Sequence, residues 1–401
     1  MASPKLRFKE FEGNWSKKRL DSFLERISNP VNVVGTQNYI QIGIRSHGKG
    51  IFHKESVTGK ELGNKRVFWV VPNALVVNIV FAWERAIAVT SDKENGLIAS
   101  HRFPMYAPKD GLSDVNFLRY MFITDKGQSY LEFASPGGAG RNKTLGQSNF
   151  AELKIDLPTA EEQTKIASFL SVVDERIGQL SQKHELLSQY KQGMMQKLFS
   201  QQIRFKADDG SEFGECKNYQ LKDIADVYDG THQTPNYVEQ GVPFYSVEHV
   251  TANDFSNTKF IAEDVYQSEL KRVSLQKGDI LMTRIGDIGT SRLIDWDVRA
   301  SFYVSLALIK IKHGDNSSFI DQYIKSQNFQ RELHERTIHV AFPKKINLGE
   351  IGFCMIQLPC LEEQTKIADF LSAIDQKIET VAQQIEQVKQ WKKGLLQQMF
   401  V

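Results

Sequence analysis

The 401-residue sequence predicts an α+β fold, with two pseudo-symmetric mixed α/β domains joined by two long antiparallel coiled-coil helices. Three observations carry that expectation. A segment opening at Leu157-Pro158 recurs 201 residues later at Leu358-Pro359, with 14 identities in 21 ungapped positions. Each copy of the segment opens a heptad pattern of apolar residues. The stretch before each copy is rich in short β-branched and aromatic runs. A solenoid repeat has a period of roughly 20–50 residues, so a period near 200 means two copies of a whole domain-plus-helix unit.

The first domain, residues 1–157, contains the runs 66–71 and 74–81, separated by Pro72-Asn73, which read as strands. Residues 115–124 read as a short helix. The first long helix occupies 158–199. Pro158 marks its start, and Thr159 with Glu162 has the spacing of a capping box. Its apolar seam is Leu170, Val173, Ile177, Leu180 and Leu187, with Lys191 at a seam position near the end. The second domain, 200–357, carries a strand signal at 301–311 and a helical one at 319–335. The second long helix occupies 358–401, with Cys360 where the first has Thr159. Its seam is Leu371, Ile374, Ile378, Val381, Ile385 and Val388, followed by Lys392.

Apolar spacing sustained over four heptads specifies a coiled-coil seam. Helices of about 39 residues span roughly 58 Å at about 1.5 Å per residue. Charge chooses the direction. A parallel pair in matched register sets Lys191 beside Lys392. An antiparallel pair centred near Lys183 and Gln384 sets Lys191 near Asp375, and Lys392 near Asp174 and Glu175. Surface pairs contribute only about 0–1 kcal/mol each, but both ends favour the same direction.

Composition bounds the function. Apolar residues at 41% and charged residues at 24% are the proportions of a globular protein. No run of about 18 apolar residues suits a membrane span, and residues 1–8 lack the apolar core of a signal peptide. Cys216, Cys354 and Cys360 form no CxxC pair, so a cytoplasmic location is expected. The net charge of +2 is unevenly placed. Residues 1–157 hold 22 Lys and Arg against 15 Asp and Glu, whereas 200–357 hold 18 against 22. The first domain suits a polyanion; the second does not on its average charge.

Catalytic motifs are missing. There is no Asn-Pro-Pro-Tyr or Asp-Pro-Pro-Tyr tetrapeptide with a glycine-rich cofactor loop, and the nine histidines are scattered without metal-site spacing. Residues 43–50 approach the phosphate-loop pattern GxxxxGK[ST], but Gly50 replaces the hydroxyl that holds magnesium. The candidate nucleic-acid contacts lie elsewhere. Residues 137–144 place Arg141 and Lys143 on a small-residue loop where backbone NH groups can approach phosphate. Residues 229–235 form a polar turn with Thr231, His232 and Gln233. Arg284 follows apolar strand residues and is expected to project from a strand end. Lys344 and Lys345 close a basic cluster with Arg331, Arg336 and His339. One cationic loop thus precedes each long helix at equivalent places.

The order domain–helix–domain–helix, with twin Leu-Pro-x-x-Glu-Glu-Gln-Thr-Lys-Ile-Ala-x-Phe-Leu-Ser-x-x-Asp segments, resembles the specificity (S) subunit of type I restriction-modification systems. Leu6-Arg7-Phe8, Asp229-Gly230-Thr231-His232 and Lys277-Gly278-Asp279-Ile280-Leu281 are also similar to sequences common in that family. The resemblance covers the whole chain. It implies that 1–157 and 200–357 are target recognition domains, each reading half of a split, asymmetric site in double-stranded DNA. It implies further that the helices set the spacer and dock two copies of a DNA methyltransferase (M) subunit. Restriction (R) subunits with helicase and nuclease activity can join. S-adenosylmethionine, ATP and Mg are then expected on those partners, with no cofactor and no catalytic residue in this chain.

Overall fold

The computed structural model describes residues 3–137, 143–312 and 314–400. Both long helices form, as Ala160–Phe199 and Leu361–Met399. The predicted seam is their covered side. Leu170, Val173, Leu180, Leu371, Ile374, Val381 and Ile385 are buried, and Ile177, Leu187, Ile378 and Val388 are half-buried.

The chain separates into two compact units, Met1–Ser181 with Gln383–Val401, and Gln182–Ala382. The division falls inside both helices, because each core recruits part of each helix. In the first unit Ile166, Leu170 and Val173 share a core with Leu395 and Met399. In the second, Leu198 and Phe199 share one with Ile367, Leu371 and Ile374. In either unit the beginning of one helix lies with the end of the other, which is the antiparallel pairing. The predicted ion pairs are present: Lys191 Nζ donates to Asp375 at 2.7 Å in the second unit, and Lys392 Nζ donates to Asp174 in the first. Glu175 accepts instead from Gln179 on its own helix.

Each unit carries two four-stranded sheets and a short antiparallel ladder. In the first unit one sheet has the order Leu24–Ile27, Met105–Pro108, Leu75–Val77, Ile87–Val89. The other has the order Ile51–Thr58, Asn38–Ile44, Ile98–Ser100, Val67–Trp69. In the second unit the corresponding main sheet is Ala225–Asp229, Leu306–Ile311, Ile280–Ile285, Asp287–Leu293. The ladders pair Ser16–Arg19 with Lys154–Leu157, and Lys217–Gln220 with Met355–Leu358. They deliver the chain directly into each long helix.

Three local expectations change. The strand read over 301–311 is two strands, Ser301–Phe302 and Leu306–Ile311, which belong to different sheets. The helix read over 319–335 breaks into Ser317–Ile324 and Gln327–Arg336, because the Ser326 hydroxyl accepts from Phe329 N and starts a new helix. The capping box is half formed. Thr159 Oγ1 accepts from Glu162 N, but the Glu162 carboxylate, 1% exposed, is bound by Arg7 and Trp15. Residues 43–50 turn between strands Asn38–Ile44 and Ile51–Thr58. A hairpin turn followed by a strand has no helix N-terminus to hold a phosphate, which agrees with the departure from the phosphate-loop pattern at Gly50.

Candidate nucleic-acid interface

In the second unit the main sheet gathers the predicted residues at one edge. Asp229 lies opposite Ala307, and Thr283 opposite Leu306, so the segments beyond Asp229, before Leu306 and beyond Thr283 emerge at the same end. Residues 338–346 join them: Lys345 bridges to Ile285 and Ile338, and Gly286 N donates to Lys344 O at 2.9 Å. Thr231, His232, Gln233, Arg284, Lys344 and Lys345, dispersed in sequence, therefore share one edge.

Their roles differ. Arg284 is only 8% exposed, a correction to the expectation that it projects. Its Nε donates to Ile346 O at 3.2 Å and one terminal nitrogen to Val304 O at 2.8 Å. It braces two surface segments from beneath, and burial lowers its pKa from the ordinary guanidinium value against the pull of Asp229. Thr231 is likewise held: its hydroxyl donates to Glu269 at 2.9 Å and its N to Phe302 O at 3.0 Å. Gly230 is required beside it, since a Cβ there would meet Phe302 O at 2.1 Å. His232 is exposed, with Nε2 2.7 Å from Asp229. Gln233, Lys344 and Lys345 are exposed.

The acids at this edge are engaged internally, which offsets the domain's negative average. Asp229 takes Arg272 at 3.3 Å as well as His232, Glu269 accepts from Thr231, and Asp287 accepts from Thr283 at 3.0 Å. An aromatic cluster runs from the exposed Tyr237 and the half-buried Tyr303 to the buried Phe244 beneath them. Tyr303 hydrogen-bonds Thr234 and packs on Phe244, which packs on Tyr237, and Lys259 lies 4.7 Å from the Tyr237 ring centroid. Base-stacking surfaces use such aromatic and cationic neighbours.

In the first unit the equivalent edge is set by Ile27 opposite Met105 and Val76 opposite Met105. Leu145 N donates to Ile79 O at 2.8 Å, as Ile346 N donates to Arg284 O at 3.0 Å in the second unit. Residues 143–145 thus occupy the place of 344–346. Lys143 is half-buried, its ammonium 5.9 Å from the Trp83 ring centroid; Arg141 lies outside the described residues. A groove beside this edge is lined by Lys54, Lys65, His101 and Arg102, together with Asn78 and Phe81. Lys54 Nζ donates to Gln41 at 3.5 Å. Lys54, Lys65 and Arg102 are not among the cations paired with carboxylates in the described residues. Their proximity depends on strand pairing between distant segments, so no local motif announces them. Unpaired cations around a concave surface suit phosphates, which position a duplex, while neighbouring amides and rings suit base edges.

The sequence profile of the type I restriction modification DNA specificity domain matches twice, at residues 14–189 and 214–390. The type I restriction enzyme MjaVIII specificity subunit of Methanocaldococcus jannaschii is 29% identical over 266 residues, 62% of this chain and 61% of that protein. The alignment therefore spans about three fifths of that relative's length. The putative MjaX specificity subunit of the same organism is 25% identical over 320 residues, 77% of this chain and 73% of the relative. The crystal structure of the type I restriction-modification S subunit from M. genitalium covers 100% of this chain and 99% of its own, with a TM-score of 0.65 at 19% identity. A chain from a structural study of complex assembly and conformational transition in the type I R-M system covers 96% and 97%, with a TM-score of 0.57 at 16% identity. At those identities the structures establish a shared fold.

Proposed function

We propose the following for this chain, which belongs to the type I restriction-modification DNA specificity family: each target recognition domain reads one half of a split, asymmetric site in double-stranded DNA. One observation carries the proposal. The repeated scaffold presents, at or beside the same sheet edge in each unit, a surface of polar side chains and of cations that pair with no carboxylate among the described residues, and its composition differs between the units. Lys54, Lys65, Arg102 and Lys143 in the first unit, and Lys344 and Lys345 in the second, contact phosphates and release counterions. Gln233 and His232 are placed to meet base edges, Gln having the donor–acceptor pair that matches adenine. Arg284 and Thr231 hold the segments that carry them.

The long helices set the unread spacer and dock two copies of a DNA methyltransferase subunit. Restriction subunits with helicase and nuclease activity join that complex. S-adenosylmethionine, ATP and Mg act on those partners, and this chain supplies recognition without turnover. None of its described helices is long and apolar enough to cross a membrane, and the proposed work is on cytoplasmic DNA.

The test is methylome sequencing of cells that express the chain with its methyltransferase partner. The expected result is a two-part motif with a fixed unread gap, absent when this chain is deleted. A continuous motif, or methylation that persists without the chain, overturns the proposal.

A further inference from the structure

We propose, resting on that reading, that residues 339–344 form an apolar wedge that enters the base stack of the second half-site, with Phe342 as the inserted side chain. Phe342 is 104% exposed and Val340 is 96% exposed. Burial of apolar side chains of this size is favourable, and two such groups at one tip leave that gain unrealised within the chain.

The tip is held outward by a rigid base. Ile338 N donates to Lys345 O at 2.8 Å, Gly286 N to Lys344 O at 2.9 Å, and Ile346 N to Arg284 O at 3.0 Å. The buried Arg284 guanidinium adds its bond to Ile346 O. These bonds anchor both ends of the tip to the sheet edge.

Charge identifies the occupant. No Asp or Glu occurs between Glu335 and Glu350, and Lys344 and Lys345 are exposed at the root of the tip. An apolar point flanked by cations matches a polyanion with an apolar interior, the stacked bases of a duplex. Wedge side chains of this kind unstack a base step and gain contact area in return. Lys344 and Lys345 then hold the phosphates on either side. The tip lies on the same sheet edge as Gln233, so wedge and base contacts serve one half-site.

The experiment uses the full chain in complex with its methyltransferase. The duplexes carry the methylated site of that complex, with 2-aminopurine placed at each position of the second half-site in turn. Wild type is expected to brighten the probe at one step. Phe342→Ala is expected to remove that brightening and weaken specific binding about tenfold, the equivalent of ~1.4 kcal/mol. Phe342→Leu is expected to retain most of both. Lys344→Ala with Lys345→Ala is expected to lower the salt slope by about two while brightening persists at saturation. An unchanged thermal midpoint in Phe342→Ala checks folding. Brightening that survives Phe342→Ala comes from the methyltransferase and overturns the wedge. So does specific binding by wild type with no brightening at any position, which leaves the DNA-reading function standing. Loss of methyltransferase association in Phe342→Ala assigns the tip to a protein and overturns it too. Absence of any specific DNA binding by the wild-type complex overturns both readings.

Discussion

The two units repeat their anchors and differ at their edges. In the first, Arg7 binds the buried Glu162 and the Gly13 carbonyl; in the second, Arg204 binds the buried Glu363 and the Gly214 carbonyl. Gln163 Nε2 donates to Pro158 O and Gln364 Nε2 to Pro359 O, each at 3.0 Å. Asp114 N donates to Gln163 Oε1, and Asn316 N to Gln364 Oε1. Phe8 meets Phe169 edge-on as Phe205 meets Phe370, both at 5.7 Å. At the sheet edges the side chains diverge. The first edge is a groove of Lys54, Lys65 and Arg102, while the second is a polar and aromatic surface with Gln233, Tyr303 and the Phe342 tip. Repetition holds where burial and buried charge dictate the residue. Variation collects in loops that leave the core undisturbed.

The largest effect is expected from breaking the helices that both units share. Two residues inserted after Leu180 rotate the following stripe by about 200° at 3.6 residues per turn, and assembly should be lost. Four residues leave a net rotation of about 40° and add about 6 Å, so an active complex with a gap longer by roughly two base pairs is expected. Methylome sequencing of each variant checks both. An unchanged gap in the active four-residue variant would assign the spacing to the partner subunits.

The equivalence of the anchors is sharpened next. Glu162→Ala and Glu363→Ala each strand an arginine whose partner was buried, and each is expected to cost about 3 kcal/mol. Denaturant unfolding should return similar losses. A large loss in one unit with none in the other would break the structural equivalence.

The edges predict a difference. Replacing Lys54, Lys65 and Arg102 together by Ala should lower the salt slope of DNA binding by about three while leaving the methylated motif unchanged, since phosphate contacts carry little sequence information. Lys143→Ala adds a smaller decrement. An unaltered slope removes the groove from the interface.

The smallest effect concerns one end of the helix pair. Burial pushes the Asp174 carboxyl upward, but hydrogen bonds from Lys392 and Tyr120 outweigh it and hold its pKa below the usual value. A folded pKa below the unfolded one stabilises above the unfolded carboxyl value of about 3.9, and that stability is lost as pH falls through the folded value. Asp174→Asn should therefore cost about 1 kcal/mol at neutral pH, with the gap to wild type closing in acid. A gap independent of pH would mean that packing, not charge, sets the cost.

The helices were readable because heptad spacing and four charged positions, Lys191, Asp375, Lys392 and Asp174, agree on one antiparallel register. The matching loops were readable from the 201-residue offset, which places Lys143 against Lys344. Arg284 was misplaced because an arginine after apolar strand residues looks the same whether it leaves the sheet or turns inward to carbonyls. Glu162 looked like a capping partner, but a long-range arginine won its carboxylate. Lys54, Lys65 and Arg102 lie on or beside strands of one sheet that are distant in sequence, so they converge only once that sheet has formed. Phe342 sits in a segment whose sequence signal is its charge, and its exposure is a property of the folded loop.

Independent reading by the two units is tested most directly by exchanging residues 1–157 for the matching domain of a relative with a different specificity, followed by methylation-site mapping. The account predicts a new first half-site, an unchanged second half-site and the same gap. A motif altered in both halves would contradict it, since recognition would then require a surface composed from both domains together.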